Sequence, residues 1–244
     1  MDTPKLAIAP VPSEAGSVLL KVVAQKIATR EARIEELYMR GAYAPYLANL
    51  CAIPVTSKYG DTGTIWVTPD YLSIGTNEDF VRTPMFPGTA YRLAKAFYAM
   101  LPTRKICDLI LANADKRVPL SPLDKVKMVE TETYQRHNDV LQKYFGQMPV
   151  QDVGLIAGAK KDIVLCRGLD DHHVAIYGGS RSDTQVWQSL NCTSHSNTYV
   201  DYSHGVRLVA DRMEVNGEDL STRGVLLHPT LSYLISDEGP FTAR

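Results

Sequence analysis

Apolar residues recur at helical spacing in the first part of the chain. Between residues 13 and 40 a stripe of valine and leucine side chains predicts helix, which Gly41 is expected to end. Similar patterns predict helices over 89–100, 103–115 and 130–145. Residues 65–67 predict one short strand, and the stretch 69–88, rich in proline and glycine, predicts a long structured loop.

The pattern changes after Gly146, where β-branched and aromatic residues alternate with turn residues. Strands are predicted over 162–166, 173–178, 184–190 and 199–210, and a closing helix over 221–235. The first two strands are separated by a connection short enough for an antiparallel hairpin. The sequence therefore predicts an α+β fold, in which an N-terminal helical half, residues 1–148, packs on a C-terminal antiparallel sheet, residues 149–244.

Composition narrows the possible partners. The 244 residues are 45% hydrophobic and 22% charged, with a net charge of −1, which is ordinary for a globular protein. No basic stripe is present, so we expect no nucleic-acid partner. No segment resembles a signal peptide or reaches the roughly 18 to 20 apolar residues that span a bilayer, so we expect a soluble cytoplasmic protein without membrane contact.

The cysteines and glycines suggest neither a metal knuckle nor a cofactor loop. The four cysteines are widely spaced and form no CxxC pair, so we expect four free thiols in a reducing compartment: Cys51, Cys107, Cys166 and Cys192. Neither GxGxxG nor GxxxxGK[ST] occurs, so no nucleotide cofactor, and no other cofactor, is expected.

The densest group of chemically active side chains lies between residues 194 and 207, SHSNTYVDYSHGVR. On a strand, one face would carry Tyr199, Asp201, Ser203 and Arg207. A bulge at Gly205 would bring His204 to the same side. A carboxylate can orient an imidazole, and an imidazole can transfer protons near neutral pH. The alternative interpretation is an edge strand whose polar residues face water.

These residues lead us to expect a metal-independent hydrolase acting on a small molecule or polymer. His204 or His195 would be the general base, Asp201 would orient it, and Ser203 or a water molecule would be the nucleophile. Arg207 and Lys161 would hold an anionic group. The full set of candidate substrate-binding residues is Lys161, Asp162, Tyr177, Gln188, Tyr199 and Arg207.

Three alternatives remain open at this point. The chain could be a carbohydrate-binding module without catalysis, using Tyr177, Trp187, Tyr199 and Tyr202, or a structural protein of a virus particle. The same histidines could bind zinc with His172 or His173, but their spacing fits no known zinc site, so no bound metal is expected.

Residues 159–179 resemble, locally, the NlpC-type cell-wall cysteine peptidases. Lys161-Asp162-Ile163-Val164 is followed by His173-Val174-Ala175-Ile176-Tyr177, similar to the family's hairpin with its catalytic histidine. The resemblance implies Cys107 as nucleophile and His173 as its base. The family's Asp-Cys-Ser-Gly signature is absent, because the chain has Ile106-Cys107-Asp108-Leu109.

Most of the chain is similar to a family of bacterial and phage-borne proteins of uncharacterised activity. The shared stretches run from Asp70 to Met85, Leu101 to Asp108, Ala157 to Val164, Val174 to Gly178 and Tyr199 to Val209. This resemblance implies shared polar positions but no reaction. Its phage-like setting underlies the expectation of a cell-wall or polysaccharide substrate.

Overall fold

A computed structural model describes residues 2–23, 27–182 and 185–243. Its helices approximately match the segments predicted to be helical. Residues 24–26, within the first predicted helix, and Thr184, in the third predicted strand, lie outside the described residues. The α-helices of the described part are α1 Gly16–Val23, α2 Ile27–Met39, α3 Pro87–Ala96, α4 Arg104–Ala112, α5 Thr131–Gln142 and α6 Thr222–Leu227. Short 3₁₀ turns lie at Pro45–Ala48, Val150–Asp152 and Leu231–Leu234. The closing helix is thus divided into α6 and the last 3₁₀ turn.

The larger sheet draws on both halves of the chain. Its strands are β1 Cys51–Thr56, β2 Thr62–Val67, β5 Ala99–Met100, β12 Val209–Ala210, β13 Met213–Val215 and β14 Glu218–Leu220. The order is β14-β13-β2-β12-β5, with β1 also pairing to β2, and every pairing is antiparallel.

The second sheet has the order β10-β9-β8-β11. It consists of β8 Lys161–Val164, β9 His173–Ser182, β10 Gln185–Ser196 and β11 His204–Gly205. The β8–β9 pair is an antiparallel hairpin, as predicted. The β9–β10 hairpin is antiparallel as well, whereas β11 runs parallel to β8. Two smaller pairs complete the strands: β3 Ser73–Gly75 with β4 Phe80–Arg82, antiparallel, and β6 Lys116–Arg117 with β7 Ile156–Ala157, parallel.

The predicted α+β class is confirmed, but the separation into a helical half and a sheet half is wrong. Helices and strands are interleaved, because β1 and β2 form a hairpin early in the chain and β5 joins the same sheet. The strand predicted over 199–210 is also wrong as one element. Its residues supply β11 to one sheet and β12 to the other, so the segment crosses between them.

One hydrophobic core contacts both sheets. Its fully buried members include Leu47, Ile65, Phe97, Ile163 and Val206, which come from all parts of the chain. Among the described residues, no helix is both long and apolar enough to cross a membrane. The core also encloses charged side chains completely, and these determine where the candidate site lies.

The expectation of four free thiols is wrong for two cysteines. Cys166, just after β8, forms a disulfide with Cys192 in β10, whereas Cys51 and Cys107 are free. The two bonded residues are 26 positions apart, and β9 pairs between their strands, so no local spacing indicates the bond. The argument from free thiols to a reducing compartment therefore no longer holds.

Candidate functional site

The candidate residues form two groups on opposite faces of the second sheet. Lys161 and Asp162, which are adjacent in β8, belong to different groups. Lys161 pairs with His204 of β11, while Asp162 pairs with Tyr177 of β9, which packs in one cluster with Cys107 of α4. Because consecutive strand residues point to opposite faces, the two groups are separated by the sheet. We call the side with Lys161 and His204 the histidine face, and the side with Asp162 and Cys107 the thiol face.

Three rings meet on the histidine face. The ring of His195 stacks on that of Tyr199, with centroids 5.3 Å apart and planes 16° apart. The ring of His204 meets Tyr199 edge-on at 5.8 Å and lies 6.5 Å from His195. His204 is 1% exposed, whereas His195 and Tyr199 are half-buried. The residues predicted at 195, 199 and 204 are therefore brought together, with His204 underneath.

Asp201 lies buried beside these rings, and its carboxylate accepts three hydrogen bonds. Oδ1 accepts from the backbone N–H of Ser203 at 2.7 Å and from its hydroxyl at 2.6 Å, and Oδ2 accepts from the Tyr199 hydroxyl at 2.9 Å. Burial alone would raise the pKa of Asp201, but nearby His204 and these hydrogen bonds outweigh it and lower the pKa.

Asp201 does not bind a histidine ring directly in the described hydrogen-bond network. The nearest hydrogen bond between Asp201 and His204 joins their backbones, where His204 N–H donates to Asp201 O at 3.1 Å. The predicted orientation of His204 by the carboxylate is therefore not seen. Instead, Asp201 fixes the Tyr199 ring, and His195 stacks on that ring.

The buried imidazole of His204 has an unusual environment. Its Nδ1 atom is buried and has no hydrogen-bond partner within the described part of the chain. Burial is the main reason that its pKa falls to about 4, with Lys161 and His195 lowering it further and Asp201 opposing them. The ring is therefore neutral at pH 7. A buried polar atom without a partner costs free energy and commonly marks a functional group.

The side chains of Ser203 and Arg207 have structural roles, because they donate hydrogen bonds to other groups of the protein. The Ser203 hydroxyl is 2% exposed and donates to Asp201, so it is not directed at the rings. Arg207 is completely buried and donates to the backbone oxygens of Thr68 and Ile156, both at 2.6 Å. Its guanidinium lies 4.6 Å from the centre of the Tyr71 ring. Arg207 thus lies away from the three rings that it was expected to assist.

The thiol face holds a narrow cleft of about 20 Å³. Tyr71, Cys107, Asp162 and Tyr177 contribute to its wall. Burial raises the pKa of Asp162 to about 7, and its Oδ1 has no hydrogen-bond partner among the described residues, although Arg207 Nε lies 3.9 Å away. Burial, and then the charge of Asp162, raise the pKa of the Cys107 thiol well above its usual value.

The cysteine–histidine pair implied by the NlpC resemblance is not formed. His173 Nδ1 lies 2.7 and 2.9 Å from the two carboxylate oxygens of Asp170, which therefore occupy it. Cys107 packs instead among apolar residues and Tyr177, whose hydroxyl donates to Asp108 at 2.6 Å. Within the described residues, no group of three or more acidic, histidine or cysteine side chains could hold a metal ion.

Sequence reasoning missed the buried charges around Lys160. Lys160 is completely buried and donates from Nζ to Tyr202 O at 2.6 Å, and Nζ also lies 3.4 Å from His137 Nδ1. Burial is the first cause that lowers its pKa to about 7. A lysine is normally expected in solvent, and the only local signal was its place in Ala159-Lys160-Lys161-Asp162.

A scan against protein-family models gives no match, and searches of curated proteins and of solved structures give none either. The function has to be inferred from the arrangement of the residues themselves.

Proposed function

We propose that this chain is a hydrolase, that its site is the histidine face, and that its substrate is cell-wall or polysaccharide material. The observation that carries the proposal is the contact of the His195, Tyr199 and His204 rings beside the buried carboxylate of Asp201. The half-buried imidazole of His195 supplies the proton-transfer group that hydrolysis needs, and the carboxylate and the second imidazole hold its surroundings in place.

His195 is the general base in this proposal, because its ring is half-buried and reaches solvent while His204 is enclosed. It takes a proton from a water molecule, whose oxygen bonds to the substrate carbon, and then gives that proton to the leaving oxygen or nitrogen as the scissile bond breaks. Ser203 is not the nucleophile, because its hydroxyl already donates to Asp201. Lys161, half-buried on the same face, stabilises the negative charge that develops on the substrate oxygen.

Asp201 is a positioning residue, which acts on His195 through Tyr199. The hydrogen bond from the Tyr199 hydroxyl fixes the ring on which His195 stacks. His204 lies beneath both rings and is neutral, so it supports the Tyr199 and His195 rings without adding a positive charge beside the base. Such preorganisation is the usual basis of efficient proton transfer.

The test is a hydrolysis screen followed by variants at this face. Purified peptidoglycan and a panel of polysaccharides are incubated with the protein, and new reducing ends and free amines are measured. His195→Ala is expected to lower kcat by about 100-fold or more, the usual contribution of a general base. Asp201→Asn is expected to lower kcat with little change in KM and to shift the pH profile of kcat, because Tyr199 loses its acceptor.

The matched control is His172→Ala, which removes an exposed histidine from the loop before β9. It should retain full activity. Circular dichroism and thermal unfolding establish that each variant is folded. Unchanged hydrolysis in folded His195→Ala and His204→Asn, or no hydrolysis of any substrate in the panel by the parent protein, would overturn the proposal.

A further inference from the structure

The histidine face continues past Lys161 onto the β9–β10 hairpin. Gly179 of β9 allows the side chains to approach one another here, because it has φ +70° and no side chain. A Cβ atom built there would lie 3.4 Å from Lys161 Cγ, 3.6 Å from Trp187 Cβ and 2.5 Å from Leu120 Cδ1. The stems of Lys161 and Trp187 therefore both approach Gly179, and the Leu120 side chain fills the space beside this glycine.

A second positively charged side chain, that of Arg181, packs against Trp187. The guanidinium carbon of Arg181 lies 4.2 Å from the centre of the Trp187 ring, a close cation–π contact. Trp187 is 38% exposed, and Arg181 is exposed as well. We call Lys161, Trp187 and Arg181 the hairpin patch. It presents an accessible aromatic ring together with two positively charged side chains.

The charges of the hairpin patch are free for a ligand. The salt bridges found in the described part of the chain involve neither Lys161 nor Arg181. By contrast, Asp201, whose carboxylate accepts from Tyr199, is buried, and both of its carboxylate oxygens accept hydrogen bonds from within the protein. The patch is thus locally positive on a chain whose net charge is −1.

We propose that the hairpin patch binds an acidic oligosaccharide, a sugar chain that carries carboxylates, and delivers it to the histidine face. The Trp187 ring would stack on the apolar face of one sugar, while Lys161 and Arg181 pair with carboxylates of its neighbours. Lys161 belongs to both groups of residues, since it pairs with His204 in the sheet and lies beside Trp187. The inference rests on the proposed hydrolase site and specifies its substrate.

A single-stranded nucleic acid also combines rings with negative charge, but it fits less well. Proteins that bind it follow the phosphate backbone with a series of cations and several stacking rings. The hairpin patch offers two cations and one tryptophan, which suits charges spaced by whole sugar rings. Nucleic acid is therefore an outcome that the test must be able to detect.

The test measures binding separately from hydrolysis. The probes are a hexamer of galacturonic acid, the same hexamer as its methyl ester, and a twelve-residue oligothymidylate. Trp66 and Trp187 are the only tryptophans, and Trp66 is 6% exposed, so a change in tryptophan fluorescence reports on Trp187. The acid is expected to bind at least about tenfold more tightly than the ester at low salt, and to weaken as salt is added.

Trp187→Ala and Arg181→Ala are each expected to raise the Kd of the acidic hexamer about tenfold, measured by calorimetry, because each removes one favourable contact. The matched control is Tyr59→Ala, which removes an exposed ring that also lies under a lysine, Lys58, at 5.1 Å. This variant should bind normally. His204→Asn should bind the hexamer as the parent protein does while losing turnover.

The acidic-oligosaccharide inference and the hydrolase proposal would be overturned by different results. Equal binding of acid and ester, tighter binding of the oligothymidylate, or unchanged binding by folded Trp187→Ala and Arg181→Ala would overturn the acidic-oligosaccharide inference. Binding that depends on Trp187 and Arg181, without hydrolysis by the parent protein, would instead overturn the hydrolase and support the binding inference.

Discussion

Arg82 donates two hydrogen bonds to one carboxylate oxygen, Asp70 Oδ2, at 2.6 Å from Nη2 and 2.9 Å from Nε, and both side chains are completely buried. The carboxylate also accepts from the Tyr46 hydroxyl and from the Tyr71 backbone N–H, and Asn138 accepts from Arg82 Nη1. An ion pair removed from water in this way requires every remaining donor and acceptor to be satisfied.

Loss of one partner from this pair should strongly destabilise the fold. Asp70→Ala leaves the Arg82 guanidinium buried without its counter-ion, so we expect the free energy of unfolding to fall by about 3–5 kcal/mol. Urea denaturation measures the change. The control is Asp237→Ala, which removes a surface partner of Arg104 and should cost less than about 1 kcal/mol. Equal effects of the two substitutions would contradict a structural role for the buried pair.

The disulfide should contribute to stability through the loop that it closes. Cys166 and Cys192 are 26 positions apart, and a loop of this size corresponds to about 3.5 kcal/mol in the chain-entropy account. The variant with both residues changed to serine should lose roughly that much in urea denaturation, while Cys51→Ser should lose less. Thiol titration of the denatured, unreduced protein should find two of the four cysteines, and a count of four would rule the bond out.

His137 makes stability depend on pH. Its Nε2 lies 2.7 Å from the Leu120 carbonyl and must donate, so Nδ1 is the acceptor that faces Lys160 and the ring is neutral. Burial, and then the charge of Lys160, lower its pKa to about 3. The unfolded chain therefore binds this proton first as the pH falls below 6.5. The stabilisation is complete above that pH and is lost as the pH falls toward 3.

We expect His137→Gln to remove about one proton from the pH dependence of unfolding, or about 1.4 kcal/mol per pH unit between pH 6 and 4.5. His204 acts in the same direction down to about pH 4, and Asp162, whose pKa is raised to about 7, acts in the opposite direction. Comparison of the variant with the parent protein isolates His137. The control is His172→Gln, a change at an exposed histidine before β9; an unaltered slope in His137→Gln would refute the assignment.

The sequence predicted the helices better than the strands, for reasons that particular residues make clear. The helical stripes are local, so α3, α4 and α5 could be located from spacing alone. Strand β1 was missed because Pro54 interrupts its apolar pattern. Such a proline is tolerated in an edge strand, and among the described strands β1 pairs only with β2. The two residues of β11 pair with a strand more than forty positions earlier, which no local pattern shows.

The same distinction holds for the candidate site. The segment 194–207 indicated a concentration of ionisable groups, and three of its rings do meet. The sequence could not show which of its residues turn into the core, because charged residues are normally expected in solvent. Arg207 is held by backbone oxygens from residues 68 and 156, and these partners become neighbours only when the chain is folded.

Cys107 distinguishes the proposed site from a cysteine peptidase. Burial and Asp162 raise the pKa of its thiol, so we expect iodoacetamide at pH 7.5 to modify Cys107 more slowly than the half-buried Cys51. Cys107→Ser should cost about 1–3 kcal/mol of stability, because it buries a hydroxyl among apolar side chains, and should leave the hydrolysis rate unchanged. Mass spectrometry of the modified peptides and urea denaturation measure these effects. If Cys107 is alkylated rapidly at neutral pH and hydrolysis is lost at the same rate, the thiol face is the catalytic face and the assignment of His195 as the base is wrong.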